Sequence, residues 1–221
     1  SSDVCSSDLV VPRNINEPIG FFLSCKKNND WSISIPDITS SSSPRAVDLN
    51  EDGVLDIVMG AGGEEWSPTK MGVVAINGAN GAILWTAEAS NQMVGTPVFL
   101  DINGDKVSDV IIGGRSAELQ AIDGKNGKVI WQFYKGENAY SARKEGLYNF
   151  YNPQFVKDQD GDGLLDLVIC NGGDAAIATG ALHRPPGKLM LLSSKTGKVI
   201  AEAKMPDGQE TYSSPVCFDC E

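Results

Sequence analysis

The residues best suited to chemistry in this chain are aspartates set at alternate positions. Residues 48–56 read DLNEDGVLD, residues 101–109 read DINGDKVSD and residues 158–166 read DQDGDGLLD. Asp48, Asn50, Asp52 and Asp56 stand at positions one, three, five and nine of the first stretch. Asp101, Asn103, Asp105 and Asp109 hold the same positions in the second, and Asp158, Asp160, Asp162 and Asp166 in the third. Side-chain oxygens spaced in this way converge if the chain curls around a point. Calcium takes about six to eight such oxygens at roughly 2.3–2.6 Å. A backbone carbonyl at position seven (Val54, Val107 or Leu164) would add a further ligand. Gly53 and Gly163 fill position six, where a sharp turn favours glycine. Lys106 stands there in the second stretch and counts against its geometry, although Gly104 could absorb part of the turn.

Charge points the same way. Lys and Arg number 18 against 29 for Asp and Glu, a formal net charge of −11. Such a chain repels nucleic acid and anionic membrane surfaces and attracts cations. Ten aspartates crowded into three short loops would repel one another without a counter-ion. The EF-hand shares the first six positions but needs a bidentate Glu at position twelve and flanking helices. Position twelve here is Met59, Ile112 or Ile169, inside an apolar run. Recurrence in register also argues against an ordinary Asx-rich turn.

The elements that must hold these loops are short strands. Ser43-Pro44, Thr96-Pro97, Asn152-Pro153 and Ser214-Pro215 open four repeats, whose leading aspartates (Asp48, Asp101, Asp158 and Asp219) lie 53, 57 and 61 residues apart. A second motif alternates with the first: VVAINGANGAILW at 73–85, LQAIDGKNGKVIW at 119–131 and LMLLSSKTGKVIA at 189–201. Each is two apolar runs around a Gly-containing turn, which predicts a hairpin. In the second repeat the strands are expected at about 96–101, 108–113, 118–123 and 128–134. Four strands per unit of roughly 40–60 residues is the pattern of a propeller blade. The expected fold is therefore all-β: a β-propeller fragment of four-stranded antiparallel blades with Asp-rich calcium loops. Blades are expected over 37–92, 93–149 and 150–210, with a partial preceding blade at 10–36 and the start of a truncated one at 211–221. Residues 31–36, WSISIP, match the outer strand of a blade by analogy with Trp85 and Trp131. Residues 1–9, SSDVCSSDL, are a near-duplicated unit with the look of an artefactual or disordered tail.

The Asp loops resemble the FG-GAP repeats of the integrin-type β-propeller family. The alternate motif resembles the tryptophan-docking repeats of quinoprotein-like propellers. The two resemblances together cover roughly residues 31–221. They imply a secreted, surface-exposed or periplasmic propeller that binds Ca2+ structurally and recognises an extracellular protein or glycan through its loops, with further blades or domains outside this chain. The quinoprotein half implies an alternative, a quinone (PQQ)-dependent dehydrogenase, and a polysaccharide-processing propeller is another.

The residues themselves favour binding over catalysis. The single His, His183, lies in a Pro-rich excursion with no marked partner, and the chain has no G-x-S-x-G, H-E-x-x-H or phosphate-binding Gly loop. Trp85 and Trp131 recur at one place in each blade, as packing residues do, whereas a quinone site needs axial aromatics that the sequence does not single out. Trp66, Tyr134, Tyr140, Tyr148, Phe150 and Tyr151 lie in or beside the excursions and could stack on sugar rings. Cys217 and Cys220 form the one close cysteine pair, too little for a zinc site. No apolar run approaches the roughly 20 residues of a membrane helix.

Overall fold

The computed structural model describes residues 31–64, 67–133, 148–174, 177–178 and 181–217. The expected tail at 1–9 lies outside the described residues. So do most of the expected preceding blade, Trp66, Tyr134, Tyr140 and Cys220.

Among the described residues there is no helix, and all regular structure is strand. β1 (Arg45–Val47), β2 (Asp56–Gly60), β3 (Thr69–Ile76) and β4 (Ile83–Ala89) form one antiparallel sheet in sequence order. β5 (Val98–Leu100), β6 (Asp109–Gly113), β7 (Leu119–Ile122) and β8 (Val129–Gln132) form a second sheet of the same order. β9 (Tyr148–Phe150) precedes the third sheet and pairs with the far end of β11 (Asp166–Asp174). That sheet runs β10 (Gln154–Val156), β11, β12 (Lys188–Leu192) and β13 (Val199–Lys204). The fold is all-β, and the described residues form three blades of four antiparallel strands, the third with β9 added. The second blade places its strands within two residues of the bounds expected from apolar alternation.

The core lies between blades. Val58, Val73, Ala75, Trp85 and Ala87 of the first blade pack on Val110, Ile112 and Ile122 of the second. Ile111, Leu119, Ala121, Trp131 and Phe133 of the second pack on Leu167, Ile169, Met190 and Leu192 of the third. Successive residues of a strand point to opposite faces, so one central strand serves both neighbours: Val110 and Ile112 look back while Ile111 looks forward. On the other side of the first blade, Ile35 and Ile38 cover Met59, Val74 and Ile76, with Trp31 and Ile33 beside them.

Three of these contacts carry a tryptophan, from the segment before the first blade and from the first and second blades. Trp31 Nε1 donates to the Gly78 carbonyl at 2.8 Å, Trp85 Nε1 to the Gly124 carbonyl at 2.6 Å and Trp131 Nε1 to the Ser194 carbonyl at 2.8 Å. The acceptors all lie in the turn between the third and fourth strands of the next blade. Gly81, Gly127 and Gly197 in those turns have φ of 76, 73 and 69°, and a Cβ on any of them would meet the tryptophan ring. Glycine is needed there twice over, for its conformation and for the approach of the indole.

Candidate metal centre

The three Asp loops join the first and second strands of each blade. Antiparallel order puts them at the same end as the turns that receive the tryptophans. Their hydrogen bonds repeat. The position-one carboxylate accepts from the position-six N–H: Asp48 from Gly53 at 3.0 Å, Asp101 from Lys106 at 2.9 Å, Asp158 from Gly163 at 2.8 Å. The position-three side chain accepts from the position-five N–H, Asn50 from Asp52, Asn103 from Asp105 and Asp160 from Asp162, at 3.0, 2.9 and 3.1 Å. The position-five carboxylate accepts from position seven, Asp52 from Val54, Asp105 from Val107 and Asp162 from Leu164, at 2.8–2.9 Å. Each loop thus curls its alternate side chains inward around its own backbone.

Two residues per loop take the left-handed conformation. They are Glu51 and Gly53 at φ of 60 and 81°, Gly104 and Lys106 at 82 and 74°, and Gly161 and Gly163 at 81 and 90°. Lys106 therefore adopts the turn expected of a glycine, and Gly104 makes a second one rather than replacing it. The lysine leaves the loop's path unchanged.

The ninth-position aspartates behave differently from the rest. Asp56, Asp109 and Asp166 are fully buried. Asp56 accepts from the Leu49 N–H at 2.9 Å and from the Gly78 N–H at 3.0 Å. Asp109 accepts from Ile102 at 2.9 Å, Asn103 at 3.2 Å and Gly124 at 3.1 Å. Each carboxylate ties position two of its loop to the turn that accepts the preceding tryptophan. Asp166 accepts from the Gln159 N–H at 2.6 Å, but its Oδ1 has no hydrogen-bond partner.

Burial pushes the Asp109 carboxyl above the usual range, against the N–H groups of Ile102, Gly124 and Asn103. Burial also raises Asp166, and the charges of Asp160 and Asp158 add to it. Asp158 is held low by the N–H groups of Gly163 and Gly161. A buried acid that resists ionisation beside two acids is a place where a cation stabilises the charged form.

One carboxylate oxygen from each of Asp158, Asp160 and Asp166 lies within 4.8 Å of the others, the one such group among the described residues. The donor set is all oxygen, as a hard divalent cation requires. The unpartnered buried oxygen of Asp166, and that of Asp48 Oδ1 in the first loop, fit the same demand. In the first and second loops part of the capacity is used internally: Asn50 Nδ2 donates to Asp52 Oδ2 at 3.0 Å and Asn103 Nδ2 to Asp109 Oδ1 at 3.2 Å. Sequence spacing singled out these side chains as candidates. It gave no sign that the ninth aspartate would also staple the neighbouring turn, because alternation does not report the direction of a carboxylate.

The opposite end of the blades carries the described parts of the segments between the second and third strands and after the fourth. There Arg184 pairs with Glu210, Tyr212 Oη donates to the same carboxylate and Tyr151 packs edge-on against Tyr212 at 5.5 Å. The Glu210 carboxylate pushes the Tyr212 phenol up to about 12. Phe150, expected among the sugar-stacking candidates, is instead fully buried and packs edge-on against Phe133 at 5.0 Å. Its ring belongs to the interblade core because β9 closes over the end of β11. His183 is exposed. Cys170 is a buried free thiol whose ionisation burial disfavours, and Cys217 is free and exposed.

A family model described as outer membrane protein assembly factor BamB matches residues 67–216. The chain belongs to this PQQ-like β-propeller repeat family. The match favours the tryptophan-docking half of the resemblance noted in the sequence. Among solved structures, BamB from Moraxella catarrhalis is similar at 14% identity with a TM-score of 0.52, covering 90% of this chain and 47% of that one. The biofilm matrix protein Bap1 of V. cholerae is similar at 12% identity with a TM-score of 0.41, covering 87% of this chain and 34% of that one. No curated protein matches. The chain thus spans about half the length of the BamB structure. Among the described residues no helix is long and apolar enough to cross a membrane.

Proposed function

We propose that this chain is a calcium-stabilised module of a PQQ-like propeller that acts outside the cytosol and recognises a protein partner. The observation that carries the metal half is the third loop, where three carboxylates meet within 4.8 Å and one of them is fully buried. In this reading the FG-GAP-like loops are set into blades of BamB type. The side-chain ligands are those at positions one, three, five and nine, with the position-seven carbonyls of Val54, Val107 and Leu164 as further donors. Extracellular modules bind calcium at about 10⁻⁴–10⁻³ M, a range filled outside a cytosol and not within one. The protein half rests on the family, whose description names an assembly factor of outer-membrane proteins. The excursions opposite the metal loops are the surface left to variation.

Thermal unfolding followed by circular dichroism in excess chelator, then with millimolar calcium and with magnesium as control, tests the metal half. A ligand that binds the folded state alone stabilises it by RT ln(1+[L]/Kd), on the order of 1–3 kcal/mol for a site near 0.1 mM. The expected result is a calcium-specific rise in Tm that Asp162→Ala reduces. A folded sample with no shift overturns the calcium reading.

A further inference from the structure

The first two turns that receive the tryptophans share a glycine, Gly78 and Gly124, that the third lacks. Gly78 and Gly124 lie with their Cα atoms directly against the carbonyl oxygens of Leu55 and Ser108, and a Cβ on either would collide there. Leu55 and Ser108 are position eight of their own Asp loops. This contact brings the Gly78 and Gly124 N–H groups to Asp56 Oδ1 and Asp109 Oδ1 at 3.0 and 3.1 Å. The third turn has Ser194 at the same place, fully buried. A side chain there cannot close on its loop as a glycine does. Asp166 Oδ1 is accordingly buried without a hydrogen bond, and Ser194 Oγ has no partner either. The Ser194 N–H still lowers the Asp166 pKa against the larger effect of burial, but Oδ1 itself has no hydrogen-bond partner.

We infer that Ser194 is a positioning residue for the third loop: its Cβ holds the turn off Asp166 and leaves a buried carboxylate oxygen to complete a divalent-cation site. The inference rests on the metal reading proposed above and goes beyond it by ranking the loops. The third binds calcium most tightly, because its ninth carboxylate is not consumed by the turn. The same peptide also joins the site to the blade interface, since the Ser194 carbonyl accepts the Trp131 indole.

Calcium titration by calorimetry on the full, chelator-treated chain tests it with Ser194→Gly, Ser194→Ala and Asp162→Ala. Circular dichroism in chelator confirms the fold of each, and glycine is the residue the other two turns already carry. Ser194→Gly is expected to weaken the tightest site several-fold, because the N–H of the turn then takes the Asp166 oxygen that the cation would otherwise use. Ser194→Ala keeps the Cβ and is expected to bind as the parent does. Asp162→Ala is expected to remove the site. Ser194→Gly binding like the parent while Asp162→Ala loses the site would overturn the positioning role and leave the metal reading intact. Equal weakening by glycine and alanine would overturn it too, by assigning the effect to the hydroxyl. Absence of calcium uptake by the parent would remove both.

Discussion

At the scale of the residue, the loops are fixed by backbone conformation before any cation is considered. A left-handed conformation costs an L-residue roughly 1–2 kcal/mol relative to glycine. The third loop uses glycine at both left-handed positions, whereas Glu51 and Lys106 bear that cost in the other two. Glycine has its own entropic disadvantage of roughly 0.5–1 kcal/mol. Lys106→Gly is therefore expected to stabilise the protein by about 0.5–1 kcal/mol, read as a higher urea midpoint at unchanged slope. A lower midpoint would mean that the lysine side chain makes a contact worth more than the strain. The lysine could be flagged in the sequence as a departure at position six. Its conformation could not, because a strained residue and a rerouted loop look alike in one sequence.

At the scale of the element, the hairpin turn is the joint between blades. Gly197 and Gly208 have the same φ of 69°, but a Cβ on Gly197 would come within 2.5 Å of the Trp131 ring while one on Gly208 would meet nothing within 4 Å. Gly208→Ala is expected to cost about 1 kcal/mol, from the backbone alone. Gly197→Ala adds displacement of a buried indole and loss of its hydrogen bond, for a total of about 2–4 kcal/mol. Chemical denaturation of the two variants gives the difference, and tryptophan fluorescence shows which of them disturbs the dock. Equal costs would mean that the ring moves aside freely. This joint was partly legible in the sequence. The recurrence of Trp85 and Trp131 marked a packing role, and analogy placed Trp31 in the same position. The acceptor was not legible, since it is a backbone carbonyl presented by Gly78, Gly124 or Ser194 without regard to side chain. The strands were legible because the blades are built to bury both faces against neighbours, as the first two do, so apolar runs bounded by glycine turns stand out from the loops.

At the scale of the whole molecule, stability is a sum of interblade contacts, and among the described residues one face of the third blade has no covering partner. Val58 and Ile111, equivalent residues of the first two blades, are fully buried, while their counterpart Val168 is half-buried. Leu119 is fully buried, and its counterpart Leu189 is 37% exposed. Ala201 stands where Trp85 and Trp131 reach across to the next turn. The face of Val156, Val168, Leu189, Leu191 and Ala203 thus keeps the composition of an interblade contact without the tryptophan that fastens one. The energetic consequence can be measured directly. Leu119→Ala removes side-chain volume from a closed interface and is expected to cost about 2–5 kcal/mol. Leu189→Ala removes the same atoms from an open one, where little cavity is created, and is expected to cost about 1 kcal/mol or less. Denaturation at two protein concentrations separates the alternatives. A Leu189→Ala cost that matches Leu119→Ala only at the higher concentration would show that association covers this face, and one that matches at both would show that a single chain covers it by itself.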